Sequence, residues 1–354
     1  MPSATSCRWR SHCHSADGED RPVRAEVIVV GAGIMGSATA YALSRDGRDV
    51  LLLEQFRVGH EHGSSHGRSR IVRLAYPEVE FVELAREAFA GWRELEQESG
   101  AELLELNGLL ELVEDSGQSS QDALDAAGAE YELLDPPGAR ARWPVGVPDG
   151  WTALFQPEAG IVRADLAHRA FVDCAVSSGV RLEEERRVES LDELDASAVV
   201  VTAGPWVRKL IPDLPVRTTR ETVAYFRRDG DPLPSVVQLD PQTRGHAMYS
   251  LHDPVHGLKA GVHHGGAVVD PDEPGEPDPA LVERIANWVA RTYPDAEPEP
   301  VAAETCIYTT TADEHFILER RGKVVIGSAC SGHGFKFAPA IGTRLAALAA
   351  QAST

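Results

Sequence analysis

Several absences narrow this sequence before any motif does. No stretch of its 354 residues approaches the ~18 consecutive apolar residues that a membrane-spanning helix requires. Only four lysines occur, Lys209, Lys259, Lys323 and Lys336, so nearly all positive charge is arginine and each lysine asks for an explanation. There is no basic cluster, and the net charge of −21 speaks against a nucleic-acid surface. The five cysteines follow no disulfide framework, which suits a reducing cytoplasm. Cys7, His12, Cys13 and His14 do fall close together, but in residues 1–24, which are polar and aperiodic and lack the apolar core of a secretory signal. That segment reads as a disordered tail, and no metal site is expected in the chain.

What remains is an ordinary globular composition, 43% apolar and 25% charged, long enough for two domains. Val27 to Glu54 forms its organising stretch. Val27 to Val30 is apolar and β-branched, as a strand buried on both faces should be. Gly31, Gly33 and Gly36 then give G-x-G-x-x-G where a helix begins, with Ile34 and Met35 in its first turn. Free N–H groups at that helix end suit a pyrophosphate. Val50 to Leu53 supply a second strand, and Glu54 at its end is placed to accept from a ribose hydroxyl. Strand, glycines, helix, strand and acid in this order predict a dinucleotide cradle, with FAD and NAD both open.

Further along, Val79 to Glu98 carries Phe81, Ala85, Ala88, Trp92 and Leu95 at helical spacing, an amphipathic helix whose apolar face reads as core. Gly108 to Val113 looks like a strand. Asp165 is expected to cap a helix running to about Ser178, Val180 to Leu191 reads as strand-like, and Ala198 to Thr202 as another buried strand. Residues 216–269 alternate short β-like runs with turns, as an antiparallel sheet would. An acidic, proline-rich connector (270–279) and an amphipathic helix (281–293) follow. The predicted fold class is α/β: a Rossmann-like nucleotide-binding domain interrupted by an α+β domain with an antiparallel sheet.

Four short pieces stand out together: SSHGRSRIVRLAY at 64–76, GLKAGVHH at 257–264, CIYTTTADEHFI at 306–317 and SGHGFKF at 331–337. With the N-terminal unit and the strand VVVTAGPW, they resemble the flavoprotein amine oxidases that include monomeric sarcosine oxidase and N-methyltryptophan oxidase. The resemblance runs from about Glu26 to Ala350. It implies FAD as cofactor and a small amino acid and O2 as partners; a monomer is expected, in the reducing cytoplasm that the cysteines suit. It also implies an FAD-binding domain from 25–78, 150–215 and 300–354, with a substrate domain from 79–149 and 216–299.

By the same resemblance, Cys306 carries FAD through a thioether to its 8α-methyl, with Cys330 ranked well below as an alternative. Lys259 lies near the flavin and stabilises charge developing on O2. Arg73 and Lys336 grip the substrate carboxylate. His66 and Arg70 lie beside the flavin, Ser65 replaces a histidine common in the family, and Arg68 is solvated. Gly332 and Gly334 let backbone approach the ring, His333 orders that turn, and Gly204 follows the VVVTA strand. His263 matches a histidine near the ligand, with a structural histidine as the competing reading. Tyr308 is expected to project into the substrate cavity and Tyr249 is a weaker candidate, whereas His264 has no assigned role. The resemblance implies an oxidase of secondary amino acids such as sarcosine, with an FAD-dependent amine dehydrogenase or biosynthetic cyclic-amine oxidase using another acceptor as the alternative. Because the chain stops at Thr354, a few tens of residues short of the family's usual end, weaker cofactor retention is expected and a flavin-binding protein without turnover stays a rival reading.

Overall fold

The computed structural model describes residues 23–114, 120–239 and 247–351. The expected disordered tail lies outside them except at its end, where Val23–Arg24 pairs in parallel with Leu194–Asp195 instead of standing loose. Among the described residues no helix is long and apolar enough to cross a membrane.

The runs Val27–Val30, Val50–Leu53 and Ala198–Val201 are buried at every position. Covered on both faces, they form the middle of a six-stranded sheet in the order 181–183, 50–53, 27–30, 198–201, 324–328, 317–321, parallel except for the last hairpin. The glycine-led helix Ile34–Arg45 packs against the terminal helix Ala338–Ala350 so closely that a Cβ on Gly342 would lie 2.6 Å from the Ala38 carbonyl carbon. A parallel sheet with helices laid on it is the Rossmann-like half that the sequence predicts.

A nine-stranded, largely antiparallel sheet forms the second layer, built around Arg217–Arg227 and its neighbours Gly257–Val262 and Pro300–Thr310. The helix Pro279–Thr292 covers one face, led by Asp278, whose carboxylate accepts from the Ala280 N–H, and buries Ile285, Trp288 and Val289 in a separate apolar cluster.

Several local expectations shift. Trp151–Gln156 and Pro300–Thr310, expected with the nucleotide-binding unit, pair within the large sheet. The helix Val79–Ser99 packs on the terminal helix, with Trp92 fully buried. Asp165 is not the cap: the helix Ala164–Ser177 starts one residue earlier, and Asp165 adds its charge to the first turn. Of 180–191, only Arg181–Glu183 is a strand in the parallel sheet, because the charged run after it offers no face to bury.

Candidate active site

One cavity of about 860 Å³ runs from the carboxyl ends of the parallel strands to the face of the large sheet. In open α/β sheets that edge is where ligands bind. At this end Gly31 has φ +98°, and a Cβ there would meet the Thr202 carbonyl oxygen at 2.6 Å. Gly36 is more restricted still, since a Cβ would overlap the Gly31 carbonyl oxygen at 1.8 Å. The glycines therefore hold helix against strand and leave backbone N–H groups facing the cavity. One of these, on Ile34, donates to Ser65 Oγ at 3.0 Å, so Ser65 stands at the glycine turn.

Glu54 is 4% exposed and already held: Ala32 N–H donates to it at 2.8 Å and Phe56 N–H at 3.0 Å, with His60 Nε2 at 3.4 Å. Burial pulls its pKa up, but His60 and the two N–H groups outweigh that and leave it below the usual carboxylate range. It stays a fixed anion on the cavity wall, with Gly204 lining the same end.

The opposite wall comes from three strands. Cys306 and Tyr308, two apart on Pro300–Thr310, share a face and both line the cavity. Tyr249 and Lys259 join them from neighbouring strands. Cys330 also lines the cavity, but its sulfur accepts from Thr309 N–H at 3.5 Å and burial pushes the thiol up. Lys259 is 6% exposed, and burial, then the Arg70 charge, bring it down to about 7. Tyr249, the weaker candidate in the sequence, is half-buried beside Tyr308.

The remaining wall is cationic. Lys336 Nζ donates to the Tyr76 hydroxyl and to the His333 carbonyl oxygen, each at 2.8 Å. Arg73 lies over the Tyr76 ring at 4.5 Å from its centroid, and its buried Nη1 has no hydrogen-bond partner, the Glu111 carboxylate standing off at 4.0 Å. Burial, then Arg73 and Arg70, hold Lys336 well below the usual lysine value. His333 bridges Tyr76 at 3.3 Å and the Glu314 carbonyl at 3.1 Å, while burial and Lys336 lower it to about 3. His263 is also kept neutral, first by burial and then by His264. Gly332, with φ +73°, is packed so that a Cβ would lie 2.3 Å from the Tyr308 ring and 2.5 Å from the His263 ring, and Gly334 is equally confined by the Ala329 carbonyl at 1.7 Å.

Most sequence-predicted site residues thus meet at one cavity, with these differences. His66 is half-buried and does not line the cavity, and its pKa is lowered to about 3 by desolvation and the Arg70 charge. Arg70 lines the cavity but turns its guanidinium to the carbonyls of Ser64, His66 and Ser69, bracing the loop. Arg68, 30% exposed, is only partly solvated: it also reaches Asp253 at 3.0 Å and lies over the Tyr225 ring at 5.1 Å, because a fully buried carboxylate needs a cation. Tyr76 was overlooked although it ends the motif at 64–76, and its aromatic placement beside an apolar run gave no sign of its two cationic neighbours. Glu111, Glu314 and Thr202 carried no signal at all. A glycine cradle, an acid at the second strand and one continuous cavity reaching a cationic, aromatic end fit a dinucleotide flavin with a small anionic amine beside it.

Comparisons with known proteins agree. The family model described as "DAO: FAD dependent oxidoreductase" matches residues 26–348. Peroxisomal sarcosine oxidase of Mus musculus is 36% identical over 351 residues, covering 90% of each chain. N-methyl-L-tryptophan oxidase of Yersinia pestis is 31% identical over 356 residues, covering 92% of this chain and 95% of the relative. Among solved structures, NikD, described as an unusual amino acid oxidase essential for nikkomycin biosynthesis, superposes with a TM-score of 0.82 at 26% identity, over 93% of this chain and 95% of its own.

Proposed function

The chain belongs to the DAO family of FAD-dependent oxidoreductases, and on that premise we propose that it oxidises secondary amino acids, sarcosine or other N-methyl or cyclic ones, with O2 as acceptor. The observation that carries the substrate class is the Arg73 guanidinium, whose buried Nη1 lacks a hydrogen-bond partner, lining the same cavity as Lys336. Two adjacent cations with an unused donor are a costly arrangement that a carboxylate relieves. Arg73 offers a planar fork and Lys336 a point charge, so the substrate acid is held at one end while its amine points into the cavity.

The Gly31 to Gly36 turn, Glu54, Ser65 and Gly204 would hold the nucleotide half of FAD, and Cys306 the flavin half through a thioether. FAD, when bound, takes two electrons and two protons from the CH–NH unit, leaving an imine for water to hydrolyse, and O2 receives them as H2O2. His263 and His333 are held far below neutrality and so do not accept the amine proton, which selects the uncharged amine. Lys259 sets a cation against charge developing on O2. No disulfide joins the described cysteines, Cys174, Cys306 and Cys330, which is in keeping with a reducing compartment such as the cytoplasm.

A peroxide assay over sarcosine, N-methyl amino acids, pipecolate, proline and matched N-methylamines without a carboxylate tests the reading. The acids are expected to turn over and the plain amines to lag by at least tenfold. Equal rates would remove the carboxylate grip, and turnover only with an added electron acceptor would replace oxygen in the scheme.

A further inference from the structure

We propose that His263, His264 and Glu314 form a three-ligand site for a divalent cation of the zinc class at the wall of the substrate cavity. His263 follows directly on the strand Gly257–Val262, where successive side chains would point to opposite faces. His264 breaks that alternation with φ +57°, and the two imidazoles lie with their centroids 4.0 Å apart. Glu314, from the turn after the strand Pro300–Thr310, brings its carboxylate to 3.2 Å from His264 Nε2 and 4.0 Å from His263 Nε2. All three donor atoms lie within 4.8 Å of one another.

His264 has a side chain only 10% exposed, and its buried Nε2 makes no aligned hydrogen bond but faces the Glu314 carboxylate at 3.2 Å. An ion between the two would satisfy the nitrogen and the carboxylate together. Two histidines and a glutamate with a fourth position open are a known zinc set; tetrahedral bonds of about 2.0–2.2 Å place donor atoms roughly 3.4 Å apart, so Glu314 and His264 are already near that spacing and the wider pairs need to close by only about 1 Å. Arg73 and Lys336 line the same cavity and oppose a bare cation, so the Glu314 charge decides the affinity.

The site is wired to the carboxylate grip. Glu314 and His263 line the cavity, and the Glu314 carbonyl, His333, the Tyr76 hydroxyl and Lys336 form one chain of hydrogen bonds. An ion drawn in by Glu314 therefore perturbs Lys336 and slows oxidation.

Calorimetric titration of Zn²⁺ into the full-length, flavin-loaded protein tests this, and the binding arm does not depend on the proposed reaction. One equivalent is expected in the parent, weakened at least tenfold in both His264→Asn and Glu314→Gln. Cys7, His12, Cys13 and His14 can take zinc themselves, so the readout is the difference between parent and variant. Asparagine tolerates the left-handed backbone, and Glu314→Gln, on a half-exposed residue, decides alone if the first variant does not fold. Identical isotherms in parent and Glu314→Gln would overturn the site. In the peroxide assay, Zn²⁺ inhibition that EDTA reverses is expected in the parent and at least tenfold less sensitive in Glu314→Gln; equal inhibition would overturn the coupling.

Discussion

Lys336 Nζ donates to the Tyr76 hydroxyl at 2.8 Å inside the cavity wall, and both side chains are almost wholly buried. The tyrosine is thus a clip that aims a buried cation. Burial, moderated by Arg73, raises its own pKa to about 12, so the hydroxyl stays protonated across the working range. Tyr76→Phe keeps the ring under Arg73 and removes the acceptor. A lost hydrogen bond to a charged group is worth about 1–3 kcal/mol, so KM for sarcosine should rise roughly 5- to 100-fold with a smaller change in kcat. Steady-state kinetics check it, and an unchanged KM would sink the clip.

Arg73→Lys keeps the charge and discards the fork. For a carboxylate substrate kcat/KM should fall on the order of 30- to 300-fold, about 2–3 kcal/mol, while a carboxylate-free N-methylamine should lose little. Equal losses on both substrates would mean that Arg73 acts on folding and not on the acid.

Lys259 sits at about 7 in the fold against an ordinary 10.5, because burial and then Arg70 disfavour its proton. Between those values the unfolded chain binds the proton and the folded chain does not, so this group makes stability rise with pH from about 7 to about 10.5 and leaves a constant penalty below 7. Lys259→Met should therefore stabilise flavin-free protein by a few kcal/mol at pH 6 and flatten the slope above 7. In the loaded enzyme the same variant should slow reoxidation by O2 far more than anaerobic reduction. Urea melts at several pH values and stopped-flow half-reactions measure the two effects separately, and equal kinetic losses would remove the oxygen role.

Acid precipitation should leave yellow colour on the polypeptide, and Cys306→Ala should release it into the supernatant while Cys330→Ala should not. Cys330 is engaged by the Thr309 N–H and its thiol is pushed up by burial, which makes it a poor nucleophile. Free flavin from the parent protein would end the covalent reading.

Gly36→Ala puts a methyl 1.8 Å from the Gly31 carbonyl oxygen and 2.6 Å from Thr202 Oγ1. Helix and strand must part, so a loss of about 2–4 kcal/mol and of bound flavin is expected in thermal melts and absorbance spectra.

The nucleotide cradle could be read early because its signals are local: β-branched runs, three glycines and an acid within one strand, helix and strand. Other residues misled because their partners are distant. Arg68 looked like a surface arginine, yet Asp253, 185 residues away in sequence, claims it. Trp151–Gln156 and Pro300–Thr310 have the pattern of any half-buried strand, and only their hydrogen-bonded neighbours assign them to the large sheet. His264 has no assigned role in the sequence; Glu314, brought in from another turn, is the partner on which the proposed cation site rests.

By itself the sequence determined the dinucleotide cradle, the two-layer fold class and, through the resemblance of its separated motifs, the family. Those features rest on periodicity and on backbone conformations that few residues other than glycine allow. The tertiary structure alone decided which cations face one another and which lose their water. Lys336 and Arg73 are unremarkable charges in sequence. They become a candidate carboxylate site only where burial strips them of solvent, the fold brings them to one tyrosine, and the guanidinium is left with a donor to spare.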